Sequence, residues 1–274
     1  MSLLEAHDMR LQFGGVVVLD DVELEVREHE ILAVIGPNGA GKTALLNCLS
    51  GIYHPQHGTV TLEGELLTGK RPYQVARRGI GRSFQHLELF GHLTVVENLL
   101  VGRHARTRSG TLKSALFWGP ARREEIESRR RVEEIIDFFE LWSFRHKPAA
   151  SLPFGVQKLV GVARAMATEP KLLLLDEPGS GLTRDEKEDL ARFLLRLRYD
   201  WDIPILWVEH DIKMVMDLAE RVQVLDHGAT IAQGTPAEVR RDPAVIRAYL
   251  GDRAGAEAAR DGETSRTPAR DSAS

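Results

Sequence analysis

The sequence predicts an α/β fold, a mainly parallel core sheet covered by helices, with β-hairpins beside it. Three observations carry the prediction. Short continuous apolar runs, ILAVI at 31–35, LLLL at 172–175 and ILWV at 205–208, have the length of strands buried on both faces. Each run is followed by a turn and then a helical stretch. The early chain instead alternates apolar with polar residues, as half-exposed strands do.

Taken in order, VVVLDDVELEV places Val18, Asp20, Val22, Leu24 and Val26 in one register, until Glu28-His29-Glu30 turns the chain. ILAVIG leads through a glycine-rich turn into TALLNCLSG, a helix closed by glycine. GTVTLEGELL reads as a hairpin around Glu63-Gly64. From about Val95 to Lys147 the pattern is helical, and Ile126, Val132, Ile135, Ile136 and Phe139 mark an apolar face on a charged rod. Helices at about 184–199 and 212–219 flank the strand IPILWVEHD, and VQVLDHGATIAQG closes as a hairpin. Residues 253–274 have almost no large apolar side chains, which predicts a disordered tail after a single domain spanning 1–252.

Composition narrows the function. With 43% hydrophobic and 28% charged residues, the 274-residue chain can bury its own core. A net charge of −4 supplies no global positive field for nucleic acid. Arg129-Arg130-Arg131 is interleaved with Glu124, Glu125, Glu127, Glu133 and Glu134, the pattern of a solvated helix with internal ion pairs. The single cysteine, Cys48, excludes an internal disulfide and a multi-cysteine zinc site and reads as a small buried apolar residue. His54 and His57 lack a convincing metal-ligand set. No run approaches the roughly 18 apolar residues of a membrane span. Glu5, His7 and Asp8 stand where a signal peptide is apolar. The chain is expected to be cytoplasmic or peripheral.

The strongest local signal is GPNGAGKT: Gly36, Pro37, Asn38, Gly39, Ala40, Gly41, Lys42 and Thr43, between a buried strand and a helix. Its glycines let backbone N–H groups and the helix N-terminus face an anion. Lys42 can reach β- and γ-phosphates, and the Thr43 hydroxyl can ligate Mg²⁺. A purely structural glycine turn is the alternative. Such a loop needs a metal-holding carboxylate at the end of a neighbouring buried strand, and Asp176 stands there. Glu177, one residue on, can orient or deprotonate a water; helix capping is the competing reading of this acidic pair. His210 follows ILWVE at the phosphate end of the sheet, although a lone histidine is more often structural. Alone, Gln85 reads as a surface amide and Phe13 as a core or strand aromatic.

The ordered set of GPNGAGKT, Gln85 in GRSFQH, SLPFGVQKLVGVARAM at 151–166, LLLLDEP and EHD resembles ATP-binding-cassette (ABC) transporter ATPases along the chain to residue 251. The resemblance implies a P-loop NTPase cassette with an N-terminal antiparallel β-subdomain and a helical subdomain at about 86–160. It implies two cassettes closing head to tail, each ATP held between one P-loop and the opposing signature loop. It also implies roles. Phe13 stacks on adenine, Lys42 and Thr43 hold phosphate and Mg²⁺, and Gln85 senses the metal site and contacts the membrane partner. Asp176 supports the metal, Glu177 is the catalytic base, and His210 contacts the γ-phosphate. Pro153, Phe154, Gly155 and Gln157 belong to the signature loop.

That signature departs from L-S-G-G-Q: the chain reads Leu152-Pro153-Phe154-Gly155-Val156 and then Gln157, without the serine. Proline suits the first turn of a helix, and Gly155 with the free N–H groups can still face phosphate. Thr183 stands where the family usually has an aspartate that communicates across the dimer. FGGVVVLDDV, the long segment VGRHARTRSGTLKSALFWGPARREE and the ending GTPAEVRRDPAVIRAYLG look most like the larger ATPase subunit of branched-chain amino acid importers. The expected partners are a second ATPase subunit, either a related chain or a copy, two transmembrane permease subunits and, indirectly, a solute-binding protein. Leu116, Phe117 and Trp118 either dock on a partner or pack within the helical subdomain. The expected location is the cytoplasmic face of the membrane. A lipid or lipopolysaccharide exporter ATPase and a soluble, non-transport ABC protein are the rivals.

Overall fold

The computed structural model describes residues 1–84, 89–104 and 120–249. The antiparallel hairpin β1 (Ser2–Phe13) and β2 (Val16–Arg27) opens it, turning at Gly14-Gly15. Val22, Leu24 and Val26 share the buried face as expected, but Asp20 does not: Leu19 is buried and Asp20 exposed. The reason is a bulge. Met9 pairs with Val22 and Leu11 with Leu19, so β2 spends one extra residue here, and Asp21 takes a left-handed φ of 54°. One inserted residue flips the period-two pattern.

β4 (His57–Leu62) adds to β1 and carries β5 (Glu65–Leu66), giving a sheet of order β2-β1-β4-β5. Glu63 and Gly64 both have positive φ, the two-residue turn whose twist matches a hairpin. The second sheet runs β10-β9-β3-β8-β7-β6. It comprises β3 (Ile31–Ile35), β6 (Ile80–Ser83), β7 (Leu172–Asp176), β8 (Ile205–Val208), β9 (Arg221–Asp226) and β10 (Ala229–Gly234). All its pairings are parallel except β9 with β10.

Alternation along these strands sends side chains into two cores. Leu32, Val34, Leu172, Leu174, Leu206 and Val208 join the antiparallel sheet and α1 (Lys42–Leu49). Ile31, Ile35, Leu173, Leu175, Ile205 and Trp207 face the opposite way. They meet α3 (Val95–Arg103), α4 (Pro120–Phe138), α5 (Phe154–Met166), α6 (Arg184–Tyr199) and α7 (Ile212–Leu218). The short α2 (Pro72–Arg78) precedes β6, and α8 (Pro236–Val239) follows β10. Both faces of the sheet are covered at its centre, which is why β3, β7 and β8 read as apolar runs.

On α4, Val132, Ile135 and Ile136 are buried, with Phe139 just beyond, but Ile126 is 57% exposed. The inward stripe runs Ser128, Val132, Ile135, Phe139, and Ile126 lies two residues, roughly 200°, from Ser128. Arg129 pairs with Glu125 and Arg130 with Glu134 on its outer surface. Cys48 is buried on α1, and desolvation pushes its thiol up to about 12. No described helix is long and apolar enough to cross a membrane. Gln85, Leu116, Phe117, Trp118 and the 253–274 tail lie outside the described residues.

Candidate active site

Parallel strands bring their C-terminal ends to one edge, so the loops after β3, β7 and β8 converge. After β3 the chain has no room for a side chain at two of its glycines, Gly36 and Gly41. A Cβ on Gly36 would stand 2.0 Å from the Leu225 carbonyl oxygen of β9. At Gly41, φ 99°, it would meet the Val18 carbonyl oxygen of β2 at 2.6 Å. The turn between β9 and β10 completes the wall: the Gly228 amide donates to the Ala40 carbonyl at 3.1 Å, and the Asp20 amide donates to the Gly228 carbonyl at 2.8 Å. The Lys42 Nζ donates to the Gly36 and Pro37 carbonyls, both at 2.8 Å, so the loop is wrapped around its own cation. Helix α1 starts at Lys42 without a side-chain cap, and the N-terminal end of a helix favours an anion.

Asp176 ends β7 at 2% exposure. Its Oδ1 accepts from the Thr43 hydroxyl at 3.5 Å, and its Oδ2 accepts from Arg82 Nη2 at 3.0 Å. Arg82, on β6, also donates to the Ser50 hydroxyl at 2.6 Å. Burial raises the Asp176 carboxyl above its ordinary value; the Arg82 guanidinium pulls it back down, and neighbouring Glu177 adds to the rise. Arg82 and Ser50 escaped the sequence reading because a lone arginine in GIGRS has no period to mark it.

Glu177 is buried with a left-handed φ of 48°, a conformation rare outside glycine and frequent at functional sites. Its amide donates to the Val208 carbonyl, which ties the loop to β8. Its Oε1 lies 2.6 Å from His210 Nε2. The pair is therefore in hydrogen-bond contact before any nucleotide is considered. Glu209, also missed, is buried at 3% exposure and spans the two loops, accepting from the His210 amide at 3.0 Å and the Gly179 amide at 3.1 Å. Lys158 of α5 is buried on the same side; desolvation lowers its ammonium, opposed by Glu209, Glu177 and Asp176 in that order.

Phe13 ends β1 at 48% exposure, with the Tyr53 ring edge-on at 5.1 Å. One aromatic surface is thus held open beside the segment leaving α1. The signature residues have other neighbours. Pro153 is the residue before α5, one position earlier than the first-turn site expected for it, and supplies no side-chain cap. Phe154 is 47% exposed, Gly155 is buried, and Gln157 Nε2 donates to the Leu152 carbonyl at 2.8 Å, closing its own turn. Gln85 lies beyond the described end of β6, where Ser83 pairs with Leu175.

Residues 19–180 match the family described as ABC transporter. The chain belongs to that family. Residues 229–255 match a second family, the branched-chain amino acid ATP-binding cassette transporter. The chain is 41% identical over 250 residues to the high-affinity branched-chain amino acid transport ATP-binding protein LivG of Salmonella typhimurium, covering 91% of this chain and 98% of that protein. It is 39% identical over 251 residues to BraF of Pseudomonas aeruginosa, which has the same description and the same coverage. A nucleotide-free ATP-binding cassette from an ABC transporter superposes with a TM-score of 0.79 at 30% identity, covering 91% of this chain and 99% of that one. The ADP conformation of an ABC cassette superposes with a TM-score of 0.80 at 31% identity, covering 92% and 99%. The ABC cassette fold and the family's ATP-binding ATPase character stand on these matches together with the site geometry.

Proposed function

We propose that this chain is the ATP-hydrolysing subunit of an importer for branched-chain amino acids or related hydrophobic small molecules. It acts at the cytoplasmic face of the membrane with a second ATPase subunit and two permease subunits, fed by a solute-binding protein. The observation that carries turnover is the buried Glu177 in contact with His210, beside the Lys42 loop. The match at 229–255 and the LivG and BraF relatives support the solute class.

In this reading the loop amides and Lys42 bind the β- and γ-phosphates, and Phe13 orients the adenine. Glu177 takes the proton of the attacking water, and His210 holds the γ-phosphate side of that water's path. Thr43 Oγ1 and Asp176 Oδ1 are hard oxygen donors facing each other, the chemistry Mg²⁺ selects, and they would hold that ion, with Gln85 as a further ligand. When bound, the ion would neutralise phosphate charge. Pro153, Phe154, Gly155 and Gln157 present a backbone surface to the nucleotide of the opposing subunit.

Glu177→Gln keeps the shape and removes the base. ATP binding should persist while turnover falls about 10²–10⁴-fold. Fluorescent-nucleotide titration and phosphate release measure the two separately, and normal turnover would reject Glu177 as the base.

A further inference from the structure

Helix α5 begins without a side-chain cap of its own: the Pro153 carbonyl accepts from the Gln157 amide at 3.0 Å, but its ring offers no side-chain acceptor, and the first turn contains no acidic residue. The nearest carboxylate comes from another helix. A Cβ built on Gly155 would stand 2.2 Å from Glu186 Oε1 and 2.6 Å from its carboxyl carbon, so Glu186 fills the space a side chain would need. Glu186 is itself fixed. Its Oε2 accepts from the Thr183 amide at 2.8 Å and the Thr183 hydroxyl at 2.9 Å, in the capping box that starts α6. The loop leading from Glu177 to Thr183 makes a second contact with the same turn. Gly181, φ 78°, passes so close under the Phe154 ring that a Cβ would be 3.0 Å from it.

We propose that Glu186 is a positioning residue for the signature turn. Its carboxylate caps α6, fills the space beside Gly155 and replaces the support that a serine at position 153 would have given α5. This rests on the reading that the turn faces the opposing subunit's nucleotide. It makes Gly155 a glycine because of Glu186 in the same chain, and it ties that turn to the loop that starts at this chain's own Glu177. The Thr183 amide and hydroxyl are the main donors to Glu186, and the Gly155 amide adds a weaker pull, which links the carboxylate to the first turn of α5.

The test is second-site rescue in the full chain, comparing Gly155→Ala, Glu186→Ala, Glu186→Gln and the double variant Gly155→Ala/Glu186→Ala. Amide hydrogen exchange over 154–157 without nucleotide is read alongside ATP turnover of the assembled ATPase. Gly155→Ala should raise exchange and lower turnover by about tenfold or more, and the double variant should return to within about threefold of Glu186→Ala. Glu186→Gln, which still accepts hydrogen bonds, should stay within about twofold of wild type. A double variant with exchange as fast as that of Gly155→Ala overturns the proposal, because the glycine would then serve nucleotide approach alone. Exchange in the nucleotide-free chain decides the matter even if the wild-type chain neither binds nor hydrolyses ATP, a result that would instead defeat the ATPase reading.

Discussion

Replacing Arg82 by Ala tests the least visible part of the site. The Arg82 and Asp176 side chains are 6% and 2% exposed, and their atoms are 3.0 Å apart. Removing the guanidinium strands a carboxylate that burial already disfavours, and it also takes a donor from Ser50. Breaking a buried pair from one side costs about 3–5 kcal/mol, because the remaining charge has no compensation. At about 2–4 °C per kcal/mol for a domain of this size, the melting temperature should fall by about 6–20 °C. Urea unfolding of the nucleotide-free chain, followed by circular dichroism, measures the loss. Asp176→Asn in the Arg82→Ala background should recover most of it, since an amide can be buried at lower cost than an orphaned carboxylate. A loss below about 1 kcal/mol, or a double variant weaker than Arg82→Ala, would refute the buried-pair argument.

The hairpin supplies a pH prediction. The Glu23 carboxylate, bonded at 2.6 Å, lifts His7 above the usual histidine value of 6.5, so its stabilisation is complete below that pH and fades as pH rises through the folded value. Glu23→Gln should bring the His7 titration, followed by NMR, back toward 6.5, and an unmoved titration would remove Glu23 as the cause. Phe13→Ala should weaken ATP binding by about 1–3 kcal/mol and raise KM more than it lowers kcat, with Phe13→Trp retaining affinity. Unchanged affinity in Phe13→Ala would send Phe13 back to a surface role.

The turn at 36–43 was legible because its eight consecutive residues encode its geometry, and the place of Asp176 because an apolar run announces the strand that ends in it. Other parts of the site depend on partners distant in sequence. Arg82 acquires a role only when β6 pairs with β7, and Glu209, adjacent to the obvious His210, only when Gly179 donates to it. The Asp20 register failed for the same reason: a bulge is set by pairing with β1, and alternation within VVVLDDVELEV carries no trace of it. Ile126 failed through angle rather than hydrophobicity. Thr183 departs from the family pattern, yet its hydroxyl and amide start α6 through Glu186, a local capping job that T-x-x-E spells out.

The walls around Gly36 and Gly41 have a consequence for the order in which the chain is made. The strand, loop and helix that announce a phosphate site are complete by residue 49, but Leu225 and Gly228 close its sides. During synthesis the most recognisable motif therefore emerges early and waits for about 180 residues of chain before its cradle has all its walls. An unfinished chain carries the motif without the walls that Leu225 and Gly228 supply.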